Sequence, residues 1–258
     1  MAMKNWVLEV GNTRCKLASF RQGAALTENP TEVLFWPTDN VESESIPPQF
    51  LHQHISEGDK VMLTGSGDLR PWIKWIESDW TLKPGDATPL PTDVSPAIGL
   101  GLDRVANAWA VLQGCLPEVD PEGAWMVVDV GTCMTIDVVC DGRHLGGTIS
   151  PGMQMRLRTM GASTANLPIL HEVSLSHPPS ILGRNTEEAM VIGARTGLAN
   201  EITGMWHQLR QELSTVGLIL TGGDVQHLEL RDIQPKFADA SLTLKGYHAL
   251  FQHASNTL

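Results

Sequence analysis

The 258-residue sequence predicts an α/β protein assembled from two halves that repeat one pattern. Three observations lead there. Trp6-Val7-Leu8-Glu9-Val10-Gly11-Asn12-Thr13-Arg14 is echoed by Met126-Val127-Val128-Asp129-Val130-Gly131-Thr132-Cys133-Met134. Each is an apolar strand that ends in a carboxylate, an apolar residue, a glycine and a small polar pair, followed by a second strand. Strand-rich segments then alternate with helical ones along the chain, which is the α/β pattern. Finally, 42% hydrophobic and 18% charged residues over this length describe an ordinary globular chain, long enough for one or two domains.

In chain order, residues 4–10 and 14–20 read as a β-hairpin, followed by a strand near 32–36 and a helix near 47–56. Lys60 to Thr64 is short and apolar and runs into Gly65-Ser66-Gly67, which marks a strand ending in a turn. Residues 70–78 read as a helix with Pro71 in its first turn. The stretch 83–99 is proline-rich, contains Gly85 and Gly99, and reads as a loop long enough to suggest a function. Leu102, Val105, Ala106, Trp109 and Leu112 recur at helical spacing, so Asp103 to Gln113 forms a helix. Gly114 to Gly123 reads as a linker, and the halves are taken as residues 1–117 and 118–258.

The second half restarts with strands at 125–130, 134–140 and 143–149, and Pro151 can open a helix to about Met160. Residues 185–213 read as a long helical stretch, with Asn185 and Glu188 spaced as a capping box and Thr186 as the alternative cap. Leu218 to Thr221 is a buried strand followed by Gly222-Gly223, and a helix near 245–254 closes the chain. Ala189, Gly193 and Gly197 form a small-residue stripe at helical spacing, equally suited to packing within the subunit or against a second copy.

A carboxylate at a strand end, followed by glycine and hydroxyl groups, suits a site for phosphate and metal. Glycine lets the backbone approach an anion, successive N–H groups donate to it, and the acid holds a cation. The second hairpin is the stronger signal: Asp129 ends a buried strand, where an unpaired carboxylate is costly, and Thr132 and Thr135 supply hydroxyls. Asp137 reads as solvent-facing. Gly99-Leu100-Gly101-Leu102-Asp103-Arg104 lies where a loop enters a helix; Asp103 there can cap the helix, or with Arg104 bind a hydroxylated acid. Neither GxG at 65–67 nor GxG at 99–101 completes a dinucleotide fingerprint, and no GxxxxGK[ST] occurs, which excludes a P-loop. Most of the nine histidines read as surface or capping residues, and His171 and His177 flank a proline-rich loop.

A formal net charge of −11 with no basic run argues against nucleic-acid and anionic-membrane partners. Four cysteines without a CxxC pair, no leader pattern at the N-terminus and no apolar run of membrane-spanning length fit a reduced, cytoplasmic setting.

Taken together, the blocks Glu9–Lys16, Gly101–Asn107, Asp129–Thr135, Gly146–Pro168, Gly183–Gly197 and Thr221-Gly222-Gly223 resemble type III pantothenate kinases, within the actin/Hsp70/sugar-kinase superfamily. The resemblance implies two ribonuclease-H-like domains of duplicated topology with a nucleotide cleft between them. It implies ATP-dependent phosphorylation of pantothenate, the first step of coenzyme A synthesis, by a cytoplasmic homodimer using Mg2+ and a monovalent cation, K+ or NH4+.

Carried onto matching positions, Glu9, Val10, Gly11, Asn12, Thr13, Arg14, Cys15 and Lys16 form the first phosphate hairpin and, with Thr132, contact ATP. Asp129 holds the monovalent cation, Asp103 is the catalytic base, and Val94, Gly101, Leu102, Asp103, Arg104 and Thr186 contact pantothenate.

The chain departs from the family at Glu9, where Asp is usual and the extra methylene extends the acid by about 1.5 Å. It departs also at Val94, where an aromatic residue is common, and at Cys133 and Met134, which replace smaller residues. The alternative readings are a weak or silent relative that binds nucleotide and regulates a partner, and a kinase for another small hydroxylated acid.

Overall fold

The computed structural model describes residues 3–38, 51, 53–95, 99–170, 181–213 and 215–257. Strands β1 (Lys4–Val10), β2 (Arg14–Arg21), β3 (Glu32–Pro37), β4 (Lys60–Thr64) and β5 (Trp80–Thr81) form a sheet in the order β3-β2-β1-β4-β5. Strands β6 (Trp125–Val130), β7 (Cys133–Cys140), β8 (Arg143–Pro151), β9 (Gly217–Thr221) and β10 (Lys236–Ala238) form another, in the order β10-β9-β6-β7-β8. Counted within its own sheet, each reads third, second, first, fourth, fifth. In both, the first strand runs parallel to the fourth and the fourth to the fifth. The repeat seen in two hairpins therefore extends to whole sheets.

Each sheet has two faces because side chains alternate along a strand. In the first sheet, Trp6, Leu8 and Val10 of β1 pack with Leu17, Val61, Leu63, Leu51 and Trp72. In the second, Met126, Val128 and Val130 of β6 pack with Met134, Ile136, Leu218 and Leu220. Covering that core are Met153 and Leu157 of helix α3 (Met153–Ala162) and Met190, Ala194, Leu198, Ile202 and Trp206 of helix α4 (Thr186–Glu212). The stripe on α4 that is buried is thus not the small-residue one; Gly193 faces open space. The α4 N-terminus is capped as its sequence predicts, with Asn185 Oδ1 accepting from Glu188 N at 2.9 Å.

Several element bounds differ from expectation for local reasons. The helix expected at 70–78 is the single turn α1 (Arg70–Ile73), because the N–H groups of Trp75 and Ile76 both return to Trp72 O and close it. Pro151 ends β8 instead of opening a helix, and Gly152 stands at the N-cap of α3. Strands β5 and β10 hold two and three residues, too few to show a period. Half of the helix expected at 47–56 lies outside the described residues; Leu51, Gln53 and His54 are helical, and residues 55–56 are not. Helix α2 (Leu102–Leu112) follows its apolar spacing closely.

The chain divides into two compact units, one of Met1–Gly123, Val139–Leu145 and Ser241–Leu258, the other of Ala124–Val138 and Gly146–Ala240. The division expected at 117/118 leaves the closing helix α5 (Leu242–Thr257) with the second half, whereas here it belongs with the first. Its side chains explain the placement. Phe251 stacks on Trp80, His253 meets Trp109 edge-on, and His248 stacks on Phe20 with centroids 4.1 Å apart. Gly246 lets α5 approach α2, since a Cβ there would lie 1.9 Å from Ala106 O.

His248 is 1% exposed, contrary to the surface role read from sequence. The amides of Asn5 and Gln252 stand 3.3 and 3.2 Å from its Nε2, an arrangement that suits a neutral ring accepting at that nitrogen. Burial holds the imidazole down to about 4 from its ordinary 6.5, against the opposing pull of Glu28. Between those two values the unfolded chain binds a proton that the folded chain does not, so stability is full above pH 6.5 and falls as pH drops toward 4. The site is expected to contribute an acid loss on the order of 3 kcal/mol across that window. Urea unfolding of the wild type and His248→Gln at several pH values checks this: the variant should lose that part of the acid slope, and identical slopes would contradict the assignment.

Candidate functional site

The first hairpin turns at Gly11-Asn12-Thr13 and is fastened from three directions. Gly11 N donates to Arg14 O at 3.0 Å across the turn. Thr38 donates from its hydroxyl to Gly11 O at 2.7 Å and from its amide to Thr13 O at 3.0 Å. From the other flank Gly67 N donates to Val10 O at 2.8 Å, and Asn12 Nδ2 reaches Ser66 Oγ at 3.5 Å. The Gly65-Ser66-Gly67 turn therefore buttresses the hairpin.

Glu9 pairs in register with Lys16 on β2 and with Thr64 on β4, so the three side chains share one rung and one face of the sheet. Glu9 is 8% exposed, and Lys16 Nζ stands 2.8 Å from its Oε2. Burial pushes the Cys15 thiol up, with the neighbouring Glu9 charge adding to the rise and the Thr38 hydrogen bond opposing it, which makes Cys15 a packing residue and not a nucleophile.

The second hairpin repeats this construction. Gly131 N donates to Cys133 O at 3.0 Å, and Gly152 N, at the start of α3, donates to Thr132 O at 3.2 Å. Asp129 pairs with Thr221 of β9 as Glu9 pairs with Thr64. Gly65 and Gly222, which follow the two threonines, both have positive φ, +136° and +99°. A Cβ would lie 2.1 Å from Val10 O at the first and 2.4 Å from Val130 O at the second. At Gly222 it would also lie 2.6 Å from Asp129 Oδ1, so a bare backbone is required beside that carboxylate. The acid, its threonine neighbour and the left-handed glycine thus recur as one unit. Aligning Thr64-Gly65 with Thr221-Gly222 in the sequence, as the hairpins were aligned, is the signal that finds it.

Asp103 occupies the first turn of α2, but the N-cap position belongs to Gly101. The Asp103 carboxylate accepts from Arg104 N at 2.9 Å, one of the amides a helix start leaves without an internal partner. Gly101 has no Cβ where one would lie 2.7 Å from Asp103 Oδ1, which leaves this carboxylate room. Asp103 and Arg104 both remain partly exposed.

Val94 closes a segment latched to the start of β8. Thr92 bridges His144, His144 N donates to Pro91 O at 2.9 Å, Asp93 N donates to His144 O at 3.0 Å, and Asp93 pairs with Arg143. Thr92 Oγ1 accepts from Val94 N at 3.1 Å and lies 2.8 Å from His144 Nδ1. His144 is therefore a second buried histidine that sequence reading placed at the surface. Thr186 is exposed at the first turn of α4.

Glu9 to Lys16, Val94 and Gly101 to Arg104 belong to the first unit; Asp129, Thr132 and Thr186 belong to the second. Asp137 is 1% exposed, not solvent-facing, although it lies on the face of β7 opposite Met134 and Ile136. Among the described residues no group of three His, Cys, Asp or Glu is gathered to hold a metal ion.

The model of the type III pantothenate kinase family matches residues 5–208. A type III pantothenate kinase of Flavobacterium psychrophilum is 30% identical over 259 residues, covering 95% of this chain and 98% of the relative. Among solved structures, a Campylobacter jejuni protein described as a Baf-family transcriptional activator superposes with a TM-score of 0.58 at 20% identity, covering 97% of this chain and 99% of that one. The activator of 2-hydroxyisocaproyl-CoA dehydratase from Clostridium difficile, with bound ADPNP, superposes at 0.54 and 14% identity, covering 99% and 97%. At such identities these two structures bear on the fold alone. From the family match and the near full-length relative, the chain belongs to the type III pantothenate kinase family.

Proposed function

We propose that this chain transfers a phosphoryl group from ATP to the primary hydroxyl of pantothenate, yielding 4'-phosphopantothenate. The observation that carries the reading is the family match over residues 5–208, and the acid-tipped hairpins in both units supply its chemistry. Phosphoryl transfer asks mainly for positioning and charge neutralisation. The turns at Gly11 to Thr13 and Gly131-Thr132 bind the phosphates, and Lys16, held by Glu9, adds a fixed positive charge.

Asp103 receives the hydroxyl proton. A carboxylate of pKa about 4 cannot ionise an alcohol in the ground state, but in a loose transition state the proton leaves late and a weak base suffices. Arg104, beside it at the start of α2, grips the pantothenate carboxylate or amide oxygens through charge-assisted hydrogen bonds. Val94, Gly101, Leu102 and Thr186 complete the acceptor contacts.

Mg2+ is usually held by one or two carboxylates plus substrate phosphates, and not by an all-protein cage. Glu9, the carboxylate at the tip of β1, fits such a set. Asp129, with Gly222 leaving space beside its Oδ1, fits a monovalent cation, K+ or NH4+. When bound, these ions offset the charge that develops on the transferring group.

A cytoplasmic homodimer completes the reading. Cys15, Cys115, Cys133 and Cys140 form no disulfide, and among the described residues no helix is long and apolar enough to cross a membrane. The open flank of α4 at Gly193 leaves room for close approach by a second copy.

A coupled ADP-release assay with pantothenate, Mg-ATP and K+ tests the activity. Asp103→Asn should fold as the wild type does, judged by circular dichroism and melting, while turnover falls at least about a hundredfold. Near-normal ADP release from that variant would remove Asp103 from the proton transfer. Rates in KCl and NH4Cl should exceed those in NaCl at equal ionic strength, and equal rates in the three salts would contradict the cation role of Asp129.

A further inference from the structure

Thr64 is wholly buried, and its hydroxyl has no hydrogen-bond partner among the described residues. A buried hydroxyl left so is unfavourable, and valine fills the same volume without that cost. Thr64 nevertheless occupies a defined place. It stands on the Glu9 rung at the end of β4, immediately before the left-handed Gly65 and the turn that props the first hairpin. The rung carries an ammonium, a carboxylate and a hydroxyl side by side on three neighbouring strands. The second unit places Thr221 next to Asp129 in the same way, ahead of the left-handed Gly222. Two threonines at one topological position, each beside the acid of its own hairpin, mark the hydroxyl as part of that site.

We propose that Thr64 is a further ligand-contact residue of the first hairpin. Its hydroxyl, able to donate and accept, meets an oxygen of the hydrated divalent cation and terminal phosphates of a nucleoside triphosphate, alongside Glu9. The inference rests on the nucleotide-binding part of the proposed function and not on the identity of the phosphoryl acceptor.

The test uses the full chain with Thr64→Val, which keeps the shape, and Thr64→Ser, which keeps the hydroxyl. Melting without ligand and calorimetric binding of AMP-PNP, with and without Mg2+, are measured for each. Thr64→Val should melt no lower than the wild type yet lose about tenfold of its affinity for Mg·AMP-PNP, the size expected for one hydrogen bond to a charged group. Thr64→Ser should retain that affinity, and Thr64→Ala, compared with Ser, supplies the same contrast should the valine variant fold poorly.

Affinity that follows side-chain shape and not the hydroxyl overturns the proposal, as does a valine variant that binds Mg·AMP-PNP like the wild type. A wild-type chain that binds no Mg·AMP-PNP overturns both this inference and the nucleotide reading beneath it. Failure of pantothenate alone to stimulate ADP release sinks only the acceptor assignment.

Discussion

A carboxylate buried at the tip of a central strand constrains everything around it. Left alone, Glu9 would be too costly to keep, so its surroundings must supply compensation, which Lys16 provides across the strand boundary. Beyond Thr64 the left-handed Gly65 lets the chain turn hard against the Val10 backbone. Asp129, half-buried, stands in the same relation to Thr221 and Gly222. The apolar faces beneath these tips provide stability and hold them in place.

That the first hairpin carries Glu9 where the second carries the shorter Asp129 is intelligible in this setting. A longer acid spans to the lysine directly opposite, so the first hairpin carries a cross-strand ion pair at 2.8 Å on a largely buried rung. The pair fixes an otherwise flexible ammonium beside the acid. Breaking one partner of such a pair is worse than never having had it, because the survivor stays buried and uncompensated.

Much of the fold was legible because the sheets announce themselves in apolar runs and the turns in glycine. The hairpins, the closing strand of each parallel pair and helix α2 all fall close to where spacing put them. What was not legible was set by partners distant in sequence. His144 and His248 look like surface residues until Thr92, Asn5 and Phe20, 52, 243 and 228 positions away, come to meet them. Asp137 reads as exposed from its local sequence yet is 1% exposed in the fold. Helix α5 reads as the end of the second half until its aromatic residues find Trp80 and Trp109. The hairpin acids and the start of α2 were readable because their chemistry is local; Thr64 was passed over because a threonine ending a strand is commonplace without its duplicate beside it.

The polypeptide changes unit at 123/124, 138/139, 145/146 and 240/241. Dissection into autonomous halves is therefore denied to this protein. A fragment stopped at residue 117 or 123 would present Phe20, Trp80 and Trp109 without their aromatic partners on the closing helix. Those surfaces would be sticky in isolation, so during synthesis the first-made residues must wait for the last-made ones before their own core is sealed.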